Sequence, residues 1–205
     1  MGELREAGKE DRRQRILDAA REHLRTNGFE VTTIESIAET AGVSAVTIYN
    51  HYRTKGGLLL ALVTRSDGIL IKKLNQFLNA HPKDALNAVV GFSKIINDHA
   101  FSYLNREIWR HVIATSIIEG DTEFGSVYRA LDRVLVEMLE KLLSTFTQNG
   151  LVSFKCDCLV AAEVLYNVHN ARFIEFIIDQ TISIEQRDEN TRRDLSFVLG
   201  NFKSV

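Results

Sequence analysis

Apolar residues recur along this chain at intervals of three and four, and nowhere do they alternate with polar ones over the length of a strand. That spacing predicts amphipathic α-helices from end to end. Arg12 to Asn27 reads as a first helix, with Ile16, Leu17, Ala20, His23 and Leu24 along one side and Gly28 closing it. Val31 to Leu62 is the most ordered pattern in the chain: two short helices joined by a tight turn, then the start of another. Thr32 and Glu35 have the form of a capping box. Ile34, Ile37, Ala38 and Ala41 then make one apolar stripe, and Gly42 can turn left-handed at the helix end. Ser44 offers a second N-cap, and Val46 to His51 make about two turns before Arg53 and Thr54 break the pattern.

The next helix begins at Leu58 and is expected to run to about Asn79, broken or bent near Gly68, with His81-Pro82 as its stop. Further helices are predicted over Asp84–Tyr103, Arg106–Glu119, Thr122–Gln148, Asp157–Gln180 and Glu185–Phe202. The fold class is therefore all-α: an N-terminal three-helix helix-turn-helix domain followed by a helical bundle of about six helices. Residues 1–10 are charged and unpatterned and are expected to be a mobile arm. Residues 11–55 form the helix-turn-helix domain and 56–205 the bundle.

Two short helices, a glycine-containing turn and a second helix with a small, polar outer face suit a DNA major groove. Thr33 sits in a helical first turn among free amides, suited to a phosphate oxygen. Ser44, Val46, Thr47 and Asn50 lie on the outward side of the second helix. Thr47 and Asn50 are types that hydrogen-bond base edges, and Val46 one that meets a thymine methyl. Arg5, Arg12 and Arg13 either belong to the scaffold helix or reach phosphate or the minor groove as an N-terminal arm.

Thr32-Thr33, Ile37-Ala38, Ala41-Gly42-Val43-Ser44 and Ile48-Tyr49, His51-Tyr52, Lys55 and Leu58 together resemble the N-terminal signature of the TetR family of bacterial transcriptional regulators. The resemblance covers roughly Arg15 to Leu62. It implies that Tyr49, His51 and Lys55 hold the DNA backbone, contacts that fix register without reading sequence. It departs from the family at Tyr52, where phenylalanine is usual, and at Gly56-Gly57, where an acidic residue is favoured after the lysine. Two glycines there predict a looser entry to the fourth helix.

The resemblance further implies a ligand-responsive regulator, most simply a repressor, that binds a palindromic operator as a dimer and is released by a small-molecule effector held in the bundle. The homodimer would form through the last two helices, about 157–180 and 185–202, which carry more apolar surface than one packed side needs. Candidate ligand residues are Trp109, Tyr103, Tyr166 and Asn170, with His99, Asn105, His111 and Arg172 behind them.

Composition bears on this in three ways. A net charge of −2, with ten Lys and Arg against nine Asp and Glu in residues 1–65, means that affinity for DNA must come from local placement of cations and amides. The absence of any run of eighteen apolar residues, with a charged start, reads as a cytoplasmic protein without a membrane span. Cys156 and Cys158 are spaced for neither a zinc site nor a redox motif. Glu107 and His111 share a helix face, but two ligands are not a metal site. No nucleophile elbow, phosphate loop or HExxH run is present, so neither an enzyme nor a cofactor is expected. The competing reading is a helical small-molecule-binding protein whose DNA-binding motif is vestigial, favoured by the weak basic balance and by Gly56-Gly57.

Overall fold

Local capping and the three-and-four spacing produce what they predict, a chain whose regular elements are all helices. The computed structural model describes residues 2–80 and 82–202. Among the described residues there are nine: α1 (Gly2–Asn27), α2 (Ile34–Ala41), α3 (Ala45–Tyr52), α4 (Lys55–Asn79), α5 (Ala85–Tyr103), α6 (Arg106–Ile118), α7 (Glu123–Gln148), α8 (Cys158–Ile178) and α9 (Ile184–Phe202). The expected stop residue His81 and the side chain of Arg5 lie outside the described residues.

Three local expectations need correction. The backbone is helical from Gly2, so residues 2–10, expected to be unpatterned, extend α1. Glu6 pairs with Lys9, Glu10 with Gln14 and Asp11 with Arg15, the three- and four-residue spacings that stabilise an exposed helix. Nor is α4 broken at Gly68, because buried Leu62 and Val63 before it and Leu70 and Leu74 after it anchor both halves. The capping box of α2 sits one residue later than Thr32 and Glu35. Thr33 is the N-cap, its Oγ1 accepting from Ser36 N at 3.1 Å while Ser36 Oγ accepts from Thr33 N. Thr32 is instead buried, its hydroxyl donating to Gly28 O at 2.7 Å.

The chain divides into two compact units. The first joins residues 1–66 to 103–125, and the second joins 67–102 to 126–205. The first therefore contains α6 as well as the helix-turn-helix, whereas sequence order placed α6 with the bundle. In the first unit, Ile16, Leu17, Ala20 and Leu24 of α1 form a core with Ile37, Ala38, Ile48, Leu58, Leu59 and Leu62, all nearly inaccessible. Arg15 donates to the carbonyl of Ala41 at 2.6 Å, capping the end of α2 with a cation.

In the second unit, Leu70, Leu74, Phe92, Leu139, Leu143, Ala161, Leu165 and Leu195 form one core contributed by α4, α5, α7, α8 and α9. Ala161, Ala162 and Leu165 turn the inner face of α8 toward it. On α8 and α9, Leu159, Val160, Val164 and Phe197 remain exposed, Phe197 at 73%.

Candidate nucleic-acid interface

The reading unit is built by two caps and one left-handed glycine. Gly42, at φ 65°, ends α2 and passes its amide to Ala38 and Glu39 carbonyls. Ser44 starts α3, its Oγ accepting from Thr47 N at 3.2 Å. Ile48 is then fully buried, while Val46, Tyr49, Asn50 and His51 are turned outward. Val46 is 66% exposed, an isolated apolar side chain on a polar face. That face offers a methyl-sized apolar contact between hydrogen-bonding groups, which is what base edges in a major groove accept.

The candidate site residues fall into two sets. Thr33, Ser44, Val46, Tyr49, Asn50 and His51 are exposed, and Thr47 is half-buried with its Oγ1 2.9 Å from Ser44 Oγ. Thr33 uses its hydroxyl oxygen as the helix cap, which leaves the hydroxyl hydrogen to donate outward. Lys55 is arranged differently from the expectation. Its ammonium donates to Phe29 O at 2.6 Å and Thr32 O at 3.0 Å, with Glu30 O at 3.5 Å, and sits 4.3 Å from the centre of the Phe29 ring. The charge that the motif would send to phosphate is here holding the α1–α2 loop, because a run of carbonyls left without helical partners faces it.

The start of α4 also departs from expectation. Thr54 Oγ1 accepts from Gly57 N at 3.0 Å, capping the helix. A side chain on Gly57 would overlap the Tyr52 carbonyl oxygen, so this glycine permits a close approach of α4 to the end of α3 and does not loosen it. Arg53 lies between the two helices with φ 62° and ψ −46°, and among the described residues it is the one non-glycine residue at positive φ. Sequence reading treated Arg53 only as a helix breaker. It is exposed at the end of α3, and holding a non-glycine residue at this φ costs about 1–3 kcal/mol of backbone strain. Tyr52, where phenylalanine is usual, is half-buried with its hydroxyl near the Arg13 guanidinium of α1; burial raises its pKa and Arg13 opposes the rise.

Helix α6 is the second element that sequence order hid. Asn105 caps it by accepting from Ile108 N at 3.0 Å. Glu107 in its first turn accepts from Phe29 N at 3.3 Å, and His111 one turn on stacks on the Phe29 ring at 4.3 Å. The residues considered as a metal pair are thus both committed to the α1–α2 loop. That loop is gripped from α6 by Glu107 and His111 and from α4 by Lys55.

The ligand candidates are not one group. Tyr103 and Trp109 belong to the first unit, both nearly buried, and Tyr166 and Asn170 belong to the second. Tyr103 Oη accepts from Arg65 Nε at 2.7 Å, and Arg21 lies 4.4 Å over its ring. The Tyr166 hydroxyl donates to Asp132 Oδ1 at 2.6 Å. Asp67, on α4 in the second unit, has a side-chain oxygen, Oδ2, that is buried without a hydrogen-bond partner. Burial and then the nearby charge of Asp132 push its carboxyl up to about 7. Burial likewise holds His169 down to about 4, with Arg187 adding to the effect. Among the described residues no group of three His, Cys, Asp or Glu side chains is placed to hold a metal ion, and no helix is long and apolar enough to cross a membrane.

A capped two-helix motif that presents Val46, Tyr49 and Asn50 from its second helix defines a helix-turn-helix DNA-binding protein. Residues 16–62 match the family model described as bacterial regulatory proteins, tetR family. Residues 16–62 thus carry the N-terminal DNA-binding domain of the TetR family of transcriptional regulators. Along most of its length the chain is similar to the fatty acid metabolism regulator protein of Bacillus subtilis (strain 168), 22% identical over 179 residues, covering 85% of this chain and 84% of that protein. Solved structures extend the likeness to the fold. A putative transcriptional regulator from Saccharomonospora viridis in complex with choline has a TM-score of 0.71 at 20% identity, covering 96% of this chain and 100% of the other. The regulator FadR from Bacillus subtilis in complex with stearoyl-CoA has a TM-score of 0.70 at 18% identity, covering 92% and 98%.

Proposed function

We propose that the protein is a repressor that binds a palindromic operator as a homodimer and leaves it when a small molecule binds the bundle. The observation that carries this is the α3 face, on which Val46, Tyr49 and Asn50 stand outward over a buried Ile48. The helix-turn-helix expected over residues 11–55 acts as the reading element within the first unit, and the second unit, residues 67–102 and 126–205, acts as the effector and dimerisation domain in place of the whole of 56–205. Thr47 and Asn50 read base edges and Val46 a thymine methyl. Thr33, Ser44, Tyr49, His51 and Arg53 hold phosphates, and Lys55 acts through the loop it fastens. The exposed apolar residues of α8 and α9 support a dimer through those helices. A two-fold dimer places its reading helices a whole number of DNA turns apart, which requires a palindrome.

Release requires that the effector bind the two dimer geometries with different affinity, and about 1–3 kcal/mol of coupling gives a usable response. Helix α4 is the covalent route for that response, since it runs from the reading unit into the second unit. Relatives of similar fold carry choline or stearoyl-CoA, which supports a bundle that accepts small molecules. The test is selection of bound sequences from a random duplex pool at two salt concentrations, followed by titration of the bound operator with a metabolite panel. A palindromic consensus and at least one releasing compound are expected. No enrichment at low salt would refute DNA reading, and enrichment without any releasing compound would refute the switch.

A further inference from the structure

From Glu6 to Arg15 every residue of α1 is exposed, and the first buried side chain of the helix is Ile16. A stretch that buries nothing adds nothing to the core, and what it presents is charge. That charge is not remote from the reading unit. Lys9, Arg12 and Arg13 of α1 and His51 and Tyr52 of α3 line one cleft of about 340 Å³. The His51 and Tyr52 rings lie 6.2 Å apart, and His51 is also exposed on α3. The cleft therefore continues the outward face of α3 onto a row of cations from another helix.

The charges around the cleft are unequally engaged. Glu6 and Glu10 also line it, but Glu6 is paired with Lys9 at 3.3 Å and Glu10 accepts from Gln14. Asp11, the other carboxylate of the exposed stretch, is paired with Arg15 at 3.2 Å. Among the described residues Arg12 makes no ion pair or side-chain hydrogen bond. Arg13 faces the same cleft as Tyr52, with its guanidinium near the uncharged hydroxyl of that side chain. Two guanidiniums without carboxylate partners present forks of N–H donors suited to an anion with several acceptor oxygens. The anion that runs along the outer face of α3 is the DNA backbone.

We propose that Arg12 and Arg13 bind a backbone phosphate of the operator next to the one that His51 reaches, and that Tyr52 is a positioning residue whose hydroxyl holds Arg13 for it. The proposal rests on the reading that α3 enters the major groove. It gives a use to the hydroxyl that phenylalanine, usual at this position, would lack. It also supplies locally the positive charge that ten Lys and Arg against nine Asp and Glu in residues 1–65 do not supply in bulk.

The test is the affinity of the full-length protein for its selected operator across a range of salt concentrations. A phosphate contact contributes about −0.9 to the slope of log K against log salt. Arg12→Gln and Arg13→Gln should each flatten the slope by about that amount and weaken binding to all duplexes alike, by about fivefold at about 0.15 M salt relative to the 1 M limit. Both arginines are exposed, so neither substitution disturbs the core. Tyr52→Phe keeps the ring and should weaken binding about threefold in the wild type but not in Arg13→Gln, because the hydroxyl acts only through Arg13. Glu10→Gln removes a carboxylate from the cleft and should tighten binding. An unchanged slope in both arginine variants overturns the phosphate site, and losses that add in the Tyr52→Phe, Arg13→Gln pair overturn the positioning role. If those variants still select a palindromic consensus with the wild-type slope, the cleft is refuted and DNA reading stands. If the wild type itself selects nothing at low salt, the reading fails and the site with it.

Discussion

Replacing Lys55 by methionine distinguishes its two possible roles. The substitution keeps the length of the side chain and removes the ammonium from the Phe29 and Thr32 carbonyls at 2.6 and 3.0 Å and from the Phe29 ring at 4.3 Å. Hydrogen bonds from a charged group contribute about 1.5–3 kcal/mol each before solvation is counted, and a partly exposed cation–π contact about 0.5–1 kcal/mol. Water recovers part of this at a loop, and the freed side chain regains up to about 2 kcal/mol of rotamer entropy. The net loss should be about 1.5–3 kcal/mol of stability in urea unfolding. The salt dependence of operator affinity supplies the second reading. A phosphate contact contributes about −0.9 to the slope of log K against log salt, so its removal should flatten the slope by about one. If Lys55 fastens the loop, stability falls and the slope is unchanged. An unchanged stability with a slope flatter by one would refute this reasoning and return Lys55 to the phosphate.

Other substitutions test neighbouring points. Gly57→Ala should destabilise by about 2–3 kcal/mol through overlap with the Tyr52 carbonyl, whereas Gly56→Ala, which meets nothing closer than Thr54 Oγ1 at 3.5 Å, should stabilise by up to about 1 kcal/mol in thermal melts. Arg53→Gly should raise stability by relieving the positive φ while weakening binding to all duplexes alike and flattening the salt slope by about one. Thr47→Val should change which sequences are enriched in a selection without a uniform loss of affinity. The Asp67 carboxyl, raised to about 7 in the folded state, binds a proton there that the unfolded chain has lost, so stability falls as pH rises from about 4 to 7, by at most about 1.4 kcal/mol per pH unit. His169, held down to about 4, acts in the opposite sense below pH 6.5. The Asp67 contribution is therefore read as the difference between wild type and Asp67→Asn across pH 5–8, and a constant difference would refute it.

Helix identities and most helix ends were legible in the sequence because they depend on neighbours a few residues away. Gly42 ends α2 and Ser44 starts α3 by bonds that close within five residues, and the buried faces of α1 and α2 follow from apolar spacing alone. The same locality explains the near misses. Thr32 and Thr33 are equally good caps on paper, and only the bond from Thr32 to Gly28 O assigned the cap to Thr33. The glycine pair after Lys55 read as a weakness, since propensity counts a missing side chain and takes no account of the Tyr52 carbonyl that a side chain would strike.

The sequence by itself determined an all-α chain with a helix-turn-helix near its start, together with the outward set Val46, Tyr49 and Asn50, because periodicity and capping are encoded locally. Tertiary structure alone decided that α6 joins the reading unit through Glu107 and His111, that Lys55 turns to the α1–α2 loop, and that the Asp67 carboxyl is buried within reach of the Asp132 charge. Each of those depends on groups far apart in the chain converging in a medium that excludes water. There an unpaired charge is costly and a carbonyl without a helical partner attracts the nearest cation, and no pattern along the sequence carries that information.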